Sequence, residues 1–227
     1  MNILISSRLF YPSLGGSETD AEILAREFIG LEHTVKVVTQ TRGDSLAADG
    51  LEFPFQVIRR PSPIQLFQAV QWCDIYFHNG ISLRDAWPLL FNHKPWILRH
   101  QTWILRPKED KTRRRSYWKT DLKLFLTKFA TSISISAAIS DHLNSPSKII
   151  PNPYRSHLFR LIPGLSRHKE LVFLGRLVSD KGVDILLEGL AILGKHQLSP
   201  QLTIIGSGPE EANLRQQTVE LHLTEQV

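Results

Sequence analysis

The segment that most constrains the fold is Leu171 to Leu187, which reads LVFLGRLVSDKGVDILL. Its first part is rich in Leu, Val and Phe, which predicts a strand buried on both faces. Apolar residues then recur at helical spacing from Val183, so we expect a helix whose first turn holds Lys181 and Gly182. A helix N-terminus points unpaired N–H groups at a ligand. With Arg176 and Lys181 beside it, this junction predicts a site for an anion, and the expected ligand is a diphosphate.

A second strand-to-helix junction lies near the N-terminus. Residues Asn2 to Ser6 read as a strand, and the pair Gly15 and Gly16 stands directly before a helical pattern. Ser17 and Asp20 have the spacing of a capping box at the start of that helix. Glycines at such a place let the backbone approach a ligand closely. A plain turn without a ligand is the alternative for this signal taken alone, but two such junctions in one chain favour binding.

Five segments follow one another in a recognisable order. They are FYPSLGGSE (Phe10–Glu18), SISISAAISDHL (Ser132–Leu143), KIIPNPYRSHLF (Lys148–Phe159), LVFLGRLVSDKGVDILLEGLA (Leu171–Ala191) and LTIIGSGPE (Leu202–Glu210). Together they resemble the landmarks of family 4 of the retaining glycosyltransferases, which have the GT-B fold. The Gly-Arg-x-x-x-x-Lys-Gly pattern is the most specific part of the resemblance.

The resemblance implies transfer of a sugar, of the hexosyltransferase type, from a nucleoside diphosphate to an acceptor hydroxyl with retention of anomeric configuration. Amides of Gly15 and Gly16, with Arg176 and Lys181, would then stabilise the departing diphosphate without a metal ion or other cofactor. The expected partners are a nucleotide sugar and a saccharide or lipid-linked acceptor. Surface ion pairs are the alternative role of the two cations, Arg176 with Asp180 and Lys181 with Asp184 or Glu188.

The resemblance also assigns secondary candidates. His100, in PWILRHQTW, stands where the family often has a histidine facing the sugar and acceptor, and is the expected catalytic residue. His78 competes with it, because it ends a predicted strand and precedes the turn Asn79-Gly80. For either histidine, a partly buried ring bonded to a backbone carbonyl is the alternative. The other secondary candidates are Glu18, which stands beside the paired glycines, and Gly206 and Gly208 of GSGPE.

Alternating strand and helix patterns predict an α/β fold of GT-B type. Residues 1–165 are expected to form a Rossmann-like, acceptor-side domain, and residues 166–227 an incomplete Rossmann-like domain that binds the nucleotide sugar. The predicted strands are Asn2–Ser6, Thr34–Thr39, Gln56–Arg59, Asp74–His78, Pro95–Arg99, Ser132–Ser136 and Lys148–Ile150, then one from Leu171 and one at Gln201–Ile205. Helices are predicted from Ser179 and from Pro209 to about His222. With 42% hydrophobic and 22% charged residues and no signal peptide or spanning segment in the pattern, we expect a cytoplasmic protein.

The C-terminal region departs from the family pattern. The family's Glu-x-x-x-x-x-x-x-Glu segment, whose two glutamates lie near the donor sugar and the ribose, is not found, and Glu210 and Glu211 cannot replace it. We therefore expect a chain truncated within its second domain that transfers no sugar at a useful rate by itself. Arg155 also stands where relatives more often have an acidic residue.

The segment Arg99 to Lys128 is strongly basic, with ten Lys or Arg against three acidic residues. Arg113, Arg114 and Arg115 are candidates for contact with anionic membrane or a phosphate-bearing acceptor. The apolar residues Trp118, Leu122, Phe125, Leu126 and Phe129 recur at helical spacing. Such a stripe is typical of a surface-lying amphipathic helix, but we expect it to pack on the protein's own sheet.

Two other classes of function remain. A noncatalytic module that binds nucleotide sugar or polyanion needs only the anion loops. A nucleic-acid binder would use the basic segment with Trp103, Tyr117 and Trp118 for stacking, but has no need of the glycine loops and is the weaker alternative.

The single cysteine, Cys73, is expected to be a small core residue. No spacing of His, Cys and Asp predicts a metal site.

Overall fold

The computed structural model describes residues 1–13, 15–43, 53–104, 117–143, 145–164 and 171–227. Contacts divide the chain into two units, Met1–Arg160 and Leu161–Val227. The predicted domain boundary between residues 165 and 166 lies outside the described residues.

The N-terminal unit is built on a seven-stranded sheet in which every neighbouring pair is parallel. Its strands are β1 (Asn2–Ser7), β2 (Thr34–Thr39), β3 (Gln56–Arg59), β4 (Ile75–Asn79), β5 (Trp96–His100), β6 (Thr131–Ser134) and β7 (Ser147–Ile149). Their order in the sheet is β3-β2-β1-β4-β5-β6-β7. The predicted α/β class and Rossmann-like parallel sheet are confirmed, with shifts of one or two residues at some strand ends.

Helices connect these strands. They are α1 (Gly16–Gly30), α2 (Pro63–Trp72), α3 (Leu83–Ala86), α4 (Tyr117–Thr127) and α5 (Ala137–Asp141), and a 3₁₀ turn covers Trp87–Leu90. Helix α2 has a complete capping box, because Ser62 and Gln65 exchange side-chain-to-backbone hydrogen bonds and Pro63 occupies the first helical position.

Two apolar layers cover the central strands on opposite faces. Ile3 and Ile5 of β1 belong to the cluster packed against α1, whereas Leu4 between them belongs to the cluster against α2. This alternation is the period-two pattern of a strand buried on both sides. Cys73 is confirmed as a core residue, since it is fully buried and burial raises the pKa of its thiol to about 11.

The apolar stripe of α4 does not pack as expected. Trp118, Leu122, Phe125 and Phe129 are all exposed, and Leu126 alone of the five is packed against a core cluster. The expectation of a helix that turns this stripe toward its own sheet is therefore wrong.

The C-terminal unit contains two parallel strands and two helices among its described residues. They are β8 (Leu171–Leu174), α6 (Val183–Lys195), β9 (Leu202–Ile205) and α7 (Glu211–Glu220), with a 3₁₀ turn at Ser179–Lys181 before α6. Both helices pack on one face of the sheet through a cluster of mostly leucine side chains.

Two local expectations for this unit need correction. Strand β8 is not buried on both faces, because Val172 and Leu174 are exposed where the described two-stranded sheet has no layer over them. Helix α6 begins at Val183 rather than before Lys181. Gly182 precedes it with a φ of 67°, a left-handed conformation that suits glycine and separates the 3₁₀ turn from the helix.

Candidate functional site

The strand order of the N-terminal unit reverses between β1 and β4. In open parallel sheets, ligands bind in the crevice outside the carboxyl ends of the strands at such a switch point. Here that edge is formed by Ser7 at the end of β1 and Asn79 at the end of β4, which are paired in register. Helix α1 follows β1 through the loop that carries Gly15 and Gly16. The fold thus places the paired glycines beside the expected crevice.

The start of α1 differs from the expected capping box. Gly15 is the N-cap residue, and no side chain caps the helix. Ser17 instead donates a hydrogen bond to Glu18 Oε2 (2.8 Å), and Ser13 donates one to Glu18 Oε1 (3.0 Å). A Cβ at Gly15 would meet the carboxylate of Glu18, whereas the space around Gly16 is open. The buried Glu18 carboxylate therefore lies over Gly15, where an anion was expected.

Asp20 has a long-range partner instead of a capping role. Its Oδ2 lies 3.2 Å from Nη2 of Arg99 on β5, in an ion pair that is almost fully buried. Arg99 Nη1 also donates to Asn79 Oδ1 (3.2 Å), and Gln101 Nε2 donates to both Asp20 Oδ2 (3.0 Å) and Asn79 Oδ1 (2.8 Å). Burial raises the pKa of the Asp20 carboxyl, and the Arg99 guanidinium offsets only part of that effect. The four residues form a polar network at the crevice.

The sequence patterns predicted a capping role for Asp20 and did not identify Arg99 as its partner. The available signal was a charged residue inside WILRH, a strand otherwise composed for burial, because a buried cation requires a partner.

The segment after β7 is tied to the same edge. Asn152 Oδ1 accepts a hydrogen bond from Arg99 Nη2 (2.7 Å), and Arg155 Nη2 donates to Glu22 Oε2 on α1 (3.1 Å). An acidic residue at position 155 would face the Glu22 carboxylate and be repelled by it. Arg155, which departs from the family pattern, is thus matched to Glu22.

Both candidate histidines are buried on the sheet face opposite α1. His100 ends β5, and its Nε2 lies 3.2 Å from the hydroxyl of Ser132 on β6. His78 packs edge-on against Tyr76 and Trp96, and neither of its ring nitrogens has a hydrogen-bond partner among the described residues. Burial lowers the pKa of His100 to about 4 and that of His78 to about 3. Both rings are therefore neutral at pH 7.

In the C-terminal unit, Arg176 lies two residues after the end of β8, and Lys181 ends the 3₁₀ turn before α6. Both side chains are exposed, and no ion pair joins either to another described residue. The alternative pairings with Asp180, Asp184 and Glu188 are thus not formed. The two cations remain available to an anion at the carboxyl edge of this sheet.

Gly206 and Gly208 belong to the loop after β9, which packs against the loop after β8. A Cβ at Gly206 would overlap the carbonyl oxygen of Gly175, and one at Gly208 would overlap that of Leu177. Backbone hydrogen bonds from Gly175 N to Ile205 O (3.1 Å) and from Leu177 N to Ser207 O (2.9 Å) join the loops. These glycines are required for close packing of the loop that carries Arg176.

The candidate residues fall in two groups. Gly15, Gly16, Glu18, His78 and His100 belong to the N-terminal unit, and Arg176, Lys181, Gly206 and Gly208 to the C-terminal unit. The basic candidates Arg113, Arg114 and Arg115 lie outside the described residues. Within the described ranges, no group of three or more His, Cys, Asp or Glu is placed to hold a metal ion, and no helix is both long and apolar enough to cross a bilayer.

Comparison with known proteins adds a family match and structural relatives. Residues 163–227 match the family model described as glycosyl transferases group 1. Among curated protein sequences, none matches the chain. The structure is similar to a glycosyltransferase from Rickettsia africae ESF-5, with a TM-score of 0.64 and 14% identity over 99% of this chain and 66% of that protein.

Two further relatives have similar architecture. One is S. aureus TarM, solved as a point mutant with fondaparinux, alpha-GlcNAc-glycerol and UDP, at a TM-score of 0.69 and 11% identity over 100% of this chain and 76% of TarM. The other is WaaG, a glycosyltransferase involved in lipopolysaccharide biosynthesis, at a TM-score of 0.59 and 16% identity over 99% of this chain and 68% of WaaG. At such identities the likeness establishes the fold, and the predicted GT-B-like class is confirmed. The chain spans 66% of the Rickettsia protein's length.

Proposed function

We propose that the chain takes part in glycosyl transfer, in which a sugar moves from a nucleoside diphosphate to an acceptor hydroxyl with retention of configuration. The observation that carries the proposal is the pair of exposed cations without described ion-pair partners, Arg176 and Lys181, in the segment that matches the group 1 glycosyltransferase model. The proposal includes a saccharide or lipid-linked acceptor, and a cytoplasmic location with peripheral membrane contact.

The proposed chemistry is stabilisation of a leaving group. Negative charge develops on the diphosphate as the sugar departs, and positioned cations lower the energy of that state. Arg176 would grip two phosphate oxygens through its forked guanidinium, and Lys181 would add a point charge, so no metal ion is required. Gly16, with open space around it, is the N-terminal glycine best placed to let phosphate approach.

The proposed role of His100 is limited by its pKa. Because burial lowers that pKa to about 4, the ring is neutral at pH 7 and would orient a substrate by hydrogen bonding rather than by positive charge. Its Nε2 is already near the Ser132 hydroxyl, so this role requires the substrate to use the remaining polar edge of the ring or to replace that contact.

Calorimetric titration with UDP and UMP tests the donor site, since UDP is present in the TarM structure. The parent should bind UDP more tightly than UMP, and Arg176→Ala should weaken UDP binding by about 1.5–3 kcal/mol, the worth of charge-assisted hydrogen bonds. Arg215→Ala is the matched control, because Arg215 is exposed on α7 and paired with Glu211. Equal UDP affinity of the parent and Arg176→Ala would remove Arg176 from the site.

A further inference from the structure

Helix α4 carries an exposed row of large apolar side chains. Trp118, Leu122, Phe125 and Phe129 are 61%, 38%, 53% and 67% exposed. Spacings of four, three and four residues align them along one side of the helix and of the turn that extends it. We call these four residues the α4 stripe. Isolated exposed apolar residues are common, but a continuous row of this kind marks an interaction surface.

The fold does not use the α4 stripe to hold the helix in place. Thr127, on the opposite side of α4, is buried, and its Oγ1 accepts a hydrogen bond from Ser145 (3.2 Å). Leu126 packs at the flank against the cluster that contains Trp96 and Leu98. The helix is therefore anchored by its other side and presents the α4 stripe outward.

Cations stand on both flanks of the α4 stripe. Lys119 Nζ lies 5.4 Å from the ring centroid of Trp118, and the exposed Lys128 follows the last helical turn. Asp121 is the one acidic residue of α4, and the basic run from Lys111 to Arg115 precedes the helix in sequence. Among the described residues of this segment, Lys119, Lys123 and Lys128 outnumber Asp121, so the charge beside the apolar row is net positive.

We propose that the α4 stripe is a membrane-docking surface that inserts into the interface of an anionic lipid bilayer. An apolar row of Trp, Leu and Phe flanked by lysines matches the face that interfacial helices bury at the boundary between headgroups and acyl chains. Lysine is depleted from protein–protein interfaces, so the lysine flanks favour a lipid surface over a protein partner. Lys119 and Lys128 would contact anionic headgroups while the aromatic rings enter the interface.

This proposal rests on the peripheral membrane contact proposed above, and vesicle sedimentation tests it without any sugar transfer, so its failure can be distinguished from a failure of the proposed sugar transfer. The parent should sediment with vesicles of phosphatidylcholine and phosphatidylserine at low salt and be released from them at high salt, and should bind pure phosphatidylcholine weakly. Phe125→Ser/Phe129→Ser should lower partitioning by about a hundredfold, because two aromatic side chains no longer enter the interface. Lys119→Glu/Lys128→Glu should remove the preference for phosphatidylserine.

The matched control is Leu90→Ser/Phe91→Ser, which removes an apolar pair at least as exposed elsewhere in the same unit and should sediment like the parent. Thermal unfolding establishes that each variant is folded. A second measurement is tryptophan fluorescence, in which vesicles should shift the parent's emission to the blue and Trp118→Phe should remove that shift. The proposal is wrong if the parent fails to sediment with vesicles at low salt, or if Phe125→Ser/Phe129→Ser and the parent sediment equally. It is also wrong if the parent self-associates without binding vesicles and Phe125→Ser/Phe129→Ser no longer self-associates. The α4 stripe would then join two copies of the chain.

Discussion

Arg99 on β5 and Asp20 on α1 form an ion pair of 3.2 Å with side chains only 4% and 6% exposed. The pair joins the central sheet to the helix that begins at the paired glycines, so it fixes where the N-terminal crevice opens. Breaking such a pair from one side leaves an uncompensated buried charge, which is far more costly than losing a surface contact.

We therefore expect Asp20→Asn to destabilise the N-terminal unit by about 3 kcal/mol or more, because Arg99 keeps its charge and loses its counterion. Another ion pair that links α1 to a distant part of the chain, between Arg155 and Glu22, is partly exposed and gives a matched comparison. Arg155→Gln should cost less than about 1 kcal/mol. Urea unfolding followed by circular dichroism measures the stability of both variants. Equal losses of stability would contradict the difference in burial between the Arg99–Asp20 and Arg155–Glu22 pairs.

Glu18→Gln should raise the affinity for UDP. The Glu18 carboxylate lies against Gly15 and would repel an incoming phosphate, so its neutralisation should tighten binding by about 1 kcal/mol, or roughly fivefold. Glu27→Gln, at the exposed far end of α1, is the control and should leave the affinity unchanged. Isothermal titration decides the outcome. Weaker binding by the Glu18 variant would instead show that the carboxylate takes part in ligand recognition.

His78 should make stability depend on pH. Its pKa falls from 6.5 in the unfolded chain to about 3 in the fold, so below pH 6.5 the unfolded state binds a proton that the folded state does not. Stability is therefore complete above pH 6.5 and is lost as the pH falls, by about 2 kcal/mol at pH 5 from this residue. His100 adds to the same trend down to its own pKa of about 4.

His78→Phe should reduce this loss between pH 8 and pH 5. It should also stabilise the protein at pH 8 by about 1 kcal/mol, because two buried nitrogens without described partners are removed. The control is His93→Gln, which removes an exposed imidazole. Unfolding midpoints of His78→Phe and His93→Gln, measured at pH 8 and at pH 5, test this prediction. A slope unchanged by His78→Phe would mean that the ring has the same pKa in the folded and unfolded states.

Gly206→Ala should destabilise the C-terminal unit by about 2 kcal/mol or more, since its Cβ would overlap the Gly175 carbonyl and force the two loops apart. UDP binding should weaken with it because the loop that carries Arg176 moves. Gly189→Ala is the opposite case: it lies inside α6 with open space around it, so alanine should stabilise by about 0.5–1 kcal/mol. Thermal melts of the two variants should therefore shift in opposite directions.

Local patterns were sufficient for most of the fold. β2 and β3 were predicted at their observed bounds, because both are short segments centred on the β-branched residues Val and Ile. The start of α1 was predicted less well. Asp20 has the spacing of a capping residue, but its partner Arg99 is 79 positions away, and no local pattern contains that contact.

Burial was the least predictable property. The run that became β8 has the composition of a strand covered on both sides, yet its outer face is exposed, because composition does not specify how many layers surround a strand. The α4 stripe shows the same effect, because an apolar helical face has the same sequence pattern whether it packs on a sheet or remains at the surface.

The exposed face of β8 bears on how this polypeptide behaves when it is expressed by itself. A row that includes Val172 and Leu174 on the described two-stranded sheet is the kind of surface that chaperones hold and that other unpaired strands join. The yield of the polypeptide expressed alone should therefore depend on how fast that row is captured or aggregates, and not only on the free energy of folding.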